Sequence, residues 1–498
     1  MGSGLVSRCN GGSQAAHTVW ENGRGHVFKQ YGAGTFAGRD TFLPSTMYVD
    51  PKRLISEELA LKELGVRRPI QGLHVSKDAP VILPVHAMLC QMLEASRGDV
   101  GFGTVGFGVG QAVLDNKRAD HMGVIITDLL YKGRLKEKLS VLLKEKTEAA
   151  QRILESASAG AKRSVEDIYR NFQDSIQLDR LLRAYLNYGY YFRNNIVGEE
   201  YLVDTMLAQN GLSCAVICLG FGDSGKGTIV DFLSRVSDAT IFELAQGCLI
   251  DPNWSFWPYV SKTPNTFLAV ADTIKRSGRK KNLDEAAIEN LIKKTVKIGV
   301  LRPYQTRHGA GPFVTETKEE ALINLWADQG VHNEWQKEFR VGWLDLPALK
   351  YSVALNGGLD YLAVTNLDRL FGGPIKVCTS YEYTGDFSSL DRYFVWERRS
   401  VTTARILAFR SQNIDNPPQQ NGELAGLLFS CRPLDFVNFG RSEQPVDKLP
   451  GNIRDFLSFI SGPTALNTPV GIISFGPTAE DKLFLSAQRR RRTDEIPR

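Results

Sequence analysis

The stretch Gly220-Phe-Gly-Asp-Ser-Gly-Lys-Gly227 constrains this chain more than any other. Just before it, Ala215–Leu219 is a continuous apolar run, as in a strand buried on both faces of a parallel sheet. Just after it, Thr228–Arg235 reads as a helix and Thr240–Leu244 as a second buried strand. Together they make one βαβ unit with a right-handed crossover. Glycines let backbone N–H groups converge on a phosphate without Cβ interference, and a helix N-terminus adds positive potential. Lys226 brings a formal charge for β- and γ-phosphates. The spacing departs from the standard GxxxxGK[ST] loop, because Gly227 follows the lysine. Asp223 is the unusual member. A carboxylate beside phosphate oxygens needs either a metal ion between them or a substrate proton to remove. A surface turn with Asp223 and Lys226 paired is the alternative; the flanking strand and helix weigh against it.

The 498 residues are 43% hydrophobic and 23% charged, with a net charge of +5. That balance suits a large α/β enzyme and anionic ligands, and carries no signature of nucleic-acid binding. Seven cysteines are scattered without a CxxC pair or zinc spacing, as expected in a reducing compartment; Cys214 and Cys218 read as core thiols. No apolar stretch nears the ~20 residues of a membrane span. Met1–Asn10 lacks the apolar centre of a signal peptide, so a cytoplasmic protein is expected, without membrane contact.

Residues 1–131 are glycine-rich with short apolar runs, of which Val81–Leu83 and Gly123–Ile126 read as buried strands. Residues 132–211 turn helical: Leu135, Leu139, Leu142 and Leu143 fall at helical spacing, and no proline occurs from Lys132 to Asn194. Residues 212–498 return to α/β, with the alternation repeated in 340–380 and loops at 411–422 and 441–452. The basic run Arg489–Arg492 reads as a solvated tail. The expected fold is one continuous α/β domain: a large, mostly parallel sheet flanked by helices, a P-loop-like nucleotide site, and a helical excursion.

Gly222-Asp-Ser-Gly-Lys-Gly-Thr-Ile-Val-Asp231 resembles GDEGKGKIVD of the adenylosuccinate synthetase family. Asn10-Gly-Gly-Ser-Gln-Ala-Ala-His-Thr18 resembles NGGxNAGHT, and Gly103-Thr-Val-Gly-Phe-Gly-Val-Gly110 resembles GTTGRGIG. Phe242–Asp251 is similar to FEGAQGTLLD, and Thr306–Glu316 to TRVGAGPFPTE. Gly342–Asp345, Thr365–Asp368 and Ile473–Pro477 resemble GWLD, TKLD and ISTGP. These segments span nearly the whole chain.

The resemblance implies a GTP-dependent ligase. GTP phosphorylates the 6-oxygen of IMP or a related purine nucleotide, and the amine of aspartate displaces the phosphate. It implies Mg²⁺ at Asp223 and the Ala16 carbonyl, with Asp223 also the base for the purine N1 proton. His17 matches the acid near the β–γ bridge, and Lys226 the phosphate lysine. Gly222, Ser224, Gly225, Gly227 and Thr228 match the rest of the GTP loop. Asp368 matches the carboxylate that holds two guanine donors, Asn366 replaces a lysine that packs on the base, and Ser474 and Gly476 complete the pocket. Gln14, Thr104, Gln246 and Ser261 match or approximate nucleotide-substrate contacts. Arg118 matches an arginine that crosses into a homodimer partner's site. Beyond the small-molecule substrates, no other partner is implied.

Two departures stand out. In the family the glycine-rich loop opens the chain, whereas here the NAGHT-like segment starts at Asn10 and the loop follows residue 219. The expectation is that Asp223 and His17 still converge. The amino-donor loop also differs: GATTGRxRR gives way to Asn333-Glu-Trp-Gln-Lys-Glu-Phe-Arg340. Lys337 and Arg340 can still hold a carboxylate, while Glu334 and Glu338 repel one. A ligase for another amine or heterocycle, and a GTP-binding regulator without ligase activity, are therefore the alternatives.

Overall fold

The computed structural model describes residues 4–323, 339–370, 373–410, 422–441 and 449–485. A ten-stranded sheet forms its centre. From edge to edge it runs β18 (Lys482–Phe484), β17 (Val470–Ser474), β12 (Tyr361–Val364), β9 (Val296–Leu301), β7 (Ser213–Cys218), β8 (Thr240–Gly247), β1 (Leu5–Ser7), β4 (Asp40–Leu43), β5 (Leu73–Ser76) and β6 (Ile196–Val197). Only the β17–β18 pair is antiparallel.

The apolar run before the glycine-rich loop becomes β7, and all six of its residues are buried. It lies mid-sheet, with Cys214 opposite Ile241 of β8 on one side and Val296 of β9 on the other. The helix Lys226–Val236 carries the chain from β7 to the adjacent parallel β8 and buries Ile229, Val230, Phe232 and Leu233. The βαβ unit is therefore present. Its strand reaches the centre of a sheet whose far half, β1 and β4 to β6, is built from residues that precede it.

In a parallel sheet all strands end on one side, so the turns after β7, β12 and β17 share one edge. The hairpin β2 (His17–Glu21) and β3 (Arg24–Phe28) pairs from His17 opposite Phe28 to Glu21 opposite Arg24.

The helical excursion comprises Lys132–Ser156, Ala159–Phe172 and Leu178–Phe192. Leu135, Leu139, Leu142 and Leu143 are all buried and join one apolar cluster with Val81, Leu83 and Met88. Tyr185 donates its hydroxyl to the Ile82 carbonyl at 2.9 Å. The excursion thus shares its core with the sheet region. After it, β6 returns to the sheet edge.

Three expectations need correction. Val81–Leu83 and Gly123–Ile126 are buried but form only isolated bridges, Val49 with Val81 and Pro80 with Ile125. Pro80 and Pro84 flank the first segment and supply no N–H for a ladder; Pro84 instead opens the helix Pro84–Ser96. The alternation in 340–380 belongs only in part to the main sheet. There β10 (Tyr304–His308), β11 (Phe339–Asp345), β13 (Pro374–Thr384), β15 (Thr403–Phe409), β14 (Phe394–Arg398) and β16 (Cys431–Arg441) make a second, largely antiparallel sheet. Third, the loop expected at 441–452 gives way at Gly451 to the helix Gly451–Ser461. Residues 411–421, 442–448 and Arg489–Arg492 lie outside the described residues. Among the described residues no helix is long and apolar enough to cross a membrane.

Candidate active site

The glycine-rich loop leaves the end of β7 in a conformation that side chains disfavour. Gly222 and Gly225 have φ of +143° and +75°, and Asp223 between them has φ of +49°. A non-glycine residue held in the left-handed region costs on the order of 1–3 kcal/mol and persists where the surroundings enforce it. Here the enforcement comes from three directions. Thr365, just past β12, donates its hydroxyl to the Ser224 carbonyl at 2.7 Å. Gly247 at the end of β8 lies so close that a Cβ there would sit 2.1 Å from the Gly220 carbonyl oxygen. At Gly227, a Cβ would sit 2.8 Å from the His17 Cβ.

Lys226 is the first residue of the helix and is 3% exposed. Among the described residues its ammonium makes no ion pair. A buried, unpaired cation is costly unless an anion completes it. The Asp223 carboxylate is 42% exposed and does not pair with Lys226; its Oδ2 lies 3.3 Å from Nε2 of His308. The surface-turn alternative fails on this point.

His17 opens β2 and is buried against the loop helix. Its Nδ1 contacts Glu243 Oε1, and its Nε2 lies 3.1 Å from the Ala245 carbonyl. Both partners are acceptors, so the imidazolium satisfies both with an N–H on each nitrogen. Burial opposes that charge and lowers the His17 pKa, with Glu243 pulling the other way. For Glu243, burial favours the neutral acid, but Arg8 and His17 outweigh it and hold the carboxyl below its ordinary range. Arg8 is 3.8 Å from Glu243 and donates to the carbonyls of Tyr31 and Lys29. Asn10 ties this cluster together, accepting from Ala245 N–H at 2.8 Å and donating to Pro264 and Asn265. The relocated loop and the N-terminal His17 segment are therefore brought into contact. The Ala16 carbonyl lies next to His17 on an exposed residue.

Asp368 follows β12 in a short turn and is partly buried. Desolvation raises its pKa, and its Oδ1 is enclosed without a hydrogen-bond partner. Asn366, two residues earlier, has φ of +57°. Ser474, ending the neighbouring β17, donates to the Gly476 carbonyl, as does Lys482 at 3.2 Å. Strand pairing of Val364 with Ile473 brings these two turns to the same edge. Thr228 donates to the Gly225 carbonyl and reinforces the helix start.

On the other side of the loop, Gln14, Ser224 and Gln246 each hold a buried side-chain oxygen without a partner. Thr104 contacts Cys90 Sγ at 3.3 Å, and Ser261 donates to the Thr263 carbonyl. The glycine-rich 102–106 segment meets the turn after β10: a Cβ on Gly103 would sit 2.5 Å from the Gly309 Cα. Two expected ligands are otherwise engaged. Arg118 is held by Asp120 and Glu145. Arg340 donates to Glu316 and to the carbonyls of Gly309 and Gly311. Lys337 lies outside the described residues. Sequence reasoning did not single out Glu243, Thr365 or His308, although each sits inside a segment already marked by its motif.

Comparisons with known proteins agree with this arrangement. The family model for adenylosuccinate synthetase matches residues 2–210 and 236–406. The gap between the two blocks holds β7, the glycine-rich loop and nearly all of its helix, the segment that is out of order. An adenylosuccinate synthetase of Halothermothrix orenii is 27% identical over 489 residues, covering 96% of this chain and 92% of that protein. One from Chlorobium luteolum is 30% identical over 387 residues, covering 76% and 74%. The fold is shared with the fully ligated adenylosuccinate synthetase of Plasmodium falciparum, at a TM-score of 0.69 and 18% identity over 97% of this chain and 94% of that one. With its motifs assembled at one sheet edge and its family model matched across most of its length, this chain belongs to the adenylosuccinate synthetase family.

Proposed function

We propose that this chain is a GTP-dependent carbon–nitrogen ligase that joins the amine of aspartate to IMP or a related purine nucleotide. The observation that carries this reading is Lys226: a lysine only 3% exposed, without an ion-pair partner among the described residues, at a helix start, beside an accessible Asp223.

Asp223 takes the N1 proton of the purine, which makes the 6-oxygen nucleophilic toward the γ-phosphorus of GTP. Lys226 and the N–H groups of Gly225 and Gly227 hold the phosphates, and GDP leaves as the new P–O bond forms. His17, held by Glu243 at Nδ1, would exchange its Nε2 contact with the Ala245 carbonyl for the leaving phosphate and stabilise its growing charge. The amine then attacks C6, and the phosphate departs. Asp368 accepts from guanine through its unpartnered Oδ1; only guanine offers two donors there, which favours GTP over ATP.

Magnesium fits the donor set. Asp223 and the Ala16 carbonyl are oxygen donors, and magnesium commonly keeps waters and substrate phosphates as its other ligands. Bound there, magnesium supplies charge neutralisation of the phosphates.

The engagement of Arg340 with Glu316, and the presence of Lys337 as the sole lysine or arginine in 324–338, favour a second reading with another amine. We also propose a homodimer, in which Arg118 would leave Asp120 and Glu145 to reach the partner. The seven free cysteines favour a cytoplasmic setting. Incubation with GTP, Mg²⁺ and IMP, with and without aspartate, tests the reading. Aspartate-dependent GDP release that is lost in Asp223→Asn supports it. Release only with another amine moves the assignment to the second reading. GTP binding without turnover under any condition refutes both and leaves a regulator.

A further inference from the structure

We infer that His308 is a positioning residue for Asp223, an inference that rests on the base role just assigned to that carboxylate. His308 ends β10, and its register opposite Phe339 of β11 fixes where its ring can lie. The Phe339 ring meets it edge-on, with centroids 4.5 Å apart and planes at 65°. Nδ1 is buried and has no hydrogen-bond partner among the described residues. Nε2 is 3.3 Å from Asp223 Oδ2, an ion-pair distance without hydrogen-bond alignment, and the ring makes no other polar contact among the described residues.

Asp223 needs such a support. It projects from a left-handed turn with a half-open carboxylate, and Lys226 does not pair with it. Unsupported, a carboxylate of this kind populates several rotamers, and only some aim an oxygen at a substrate proton. An imidazole clamped by Phe339 offers an N–H from a fixed direction. At 3.3 Å and out of line the pair is not yet a hydrogen bond, and catalytic hydrogen bonds that are long or poorly aligned in a free enzyme tighten when substrate is bound. The motif that this segment resembles, TRVGAGPFPTE, has valine where this chain has His308. Valine has no donor, so this support is particular to the present chain.

The test compares His308→Val with His308→Gln, whose amide N–H can reach the same carboxylate. The expected result is a kcat for His308→Val lower by about ten- to a hundredfold, the range seen when a supporting hydrogen bond to a reactive group is removed. KM for GTP and for the purine nucleotide should stay within about twofold, and His308→Gln should recover most of the lost rate. Equal losses in both variants, a raised KM instead of a lowered kcat, or wild-type kcat in His308→Val would each overturn the inference. If the wild-type protein shows no turnover with any acceptor, the functional reading fails separately. The contact is then read directly by ¹⁵N NMR on histidine-labelled protein, with His308→Gln assigning the resonance. Asp223→Asn should shift the Nε2 signal of His308, and an unmoved signal overturns the inference.

Discussion

Gly247→Ala offers the most direct challenge to the idea that β8 shapes the phosphate loop. The added Cβ would lie 2.1 Å from the Gly220 carbonyl oxygen and 2.7 Å from the Gly222 nitrogen. The first separation is about 1.3 Å short of the 3.4 Å at which ordinary contact begins. Both obstacles are backbone atoms, so no side chain can swing away. Either β8 or the loop must shift by on the order of 1 Å. β8 is held between β7 and β1 in the sheet centre, so the loop moves. Overpacking of this kind costs about 1–3 kcal/mol in stability. The larger effect falls on function, since a ~1 Å misplacement of catalytic groups can cost about a hundredfold. Denaturant unfolding measures the first, while titration with a fluorescent GDP analogue and GDP release under saturating GTP measure the second. Gly133→Ala is the control: nothing lies within 4 Å of a Cβ there, and alanine in that helix should be neutral or stabilising. A Gly247→Ala protein that binds GDP and turns over like the wild type would refute the reasoning.

Replacing Lys226 with Met should weaken GTP binding by about ten- to a hundredfold, the loss of one charge-assisted contact, while the melting temperature holds or rises because a buried unpaired charge is gone; calorimetric titration and thermal melts check the pair. Asp368→Asn should erode the preference for GTP over ATP by about 1–3 kcal/mol, read as the ratio of kcat/KM values, because one amide oxygen no longer accepts as a carboxylate does. Asp345 is fully buried and its pKa is raised to about 6, by burial first and against the Tyr381 hydroxyl. The folded form therefore binds this proton more tightly than the unfolded chain, so stability falls as pH rises from about 4 through about 6 and levels off above. The span is on the order of 2–3 kcal/mol. Asp345→Asn retains a cap oxygen for Ala348 N–H and should flatten that slope in urea titrations run between about pH 4 and about pH 6.

Local chemistry made part of this protein legible. An apolar run, a glycine-rich turn and a helical pattern specify strand, phosphate loop and helix whatever surrounds them, because backbone conformation there follows from residues a few positions apart. The same holds for Leu135, Leu139, Leu142 and Leu143, whose spacing defines one helix face. The loop's motif pointed to Asp223 and Lys226, and the NAGHT-like segment to His17. Composition gave no hint of the second sheet, where β10, β11 and β13 to β16 leave the expected alternation. Val81–Leu83 has the apolarity of a strand, yet its flanking prolines leave it a single bridge.

What the chain alone settles is the kind of surface each segment presents; which surfaces meet is decided by the sheet. Inserting β7 between β8 and β9 puts residue 227 against residue 17 and makes chain order irrelevant to the site. Glu243 behind His17, Thr365 on Ser224 and His308 beside Asp223 arise the same way, from strands distant in sequence that end at one edge. Strand pairing is a long-range interaction with no local signature, so the partners of each proposed site residue appear only once the strands are in register.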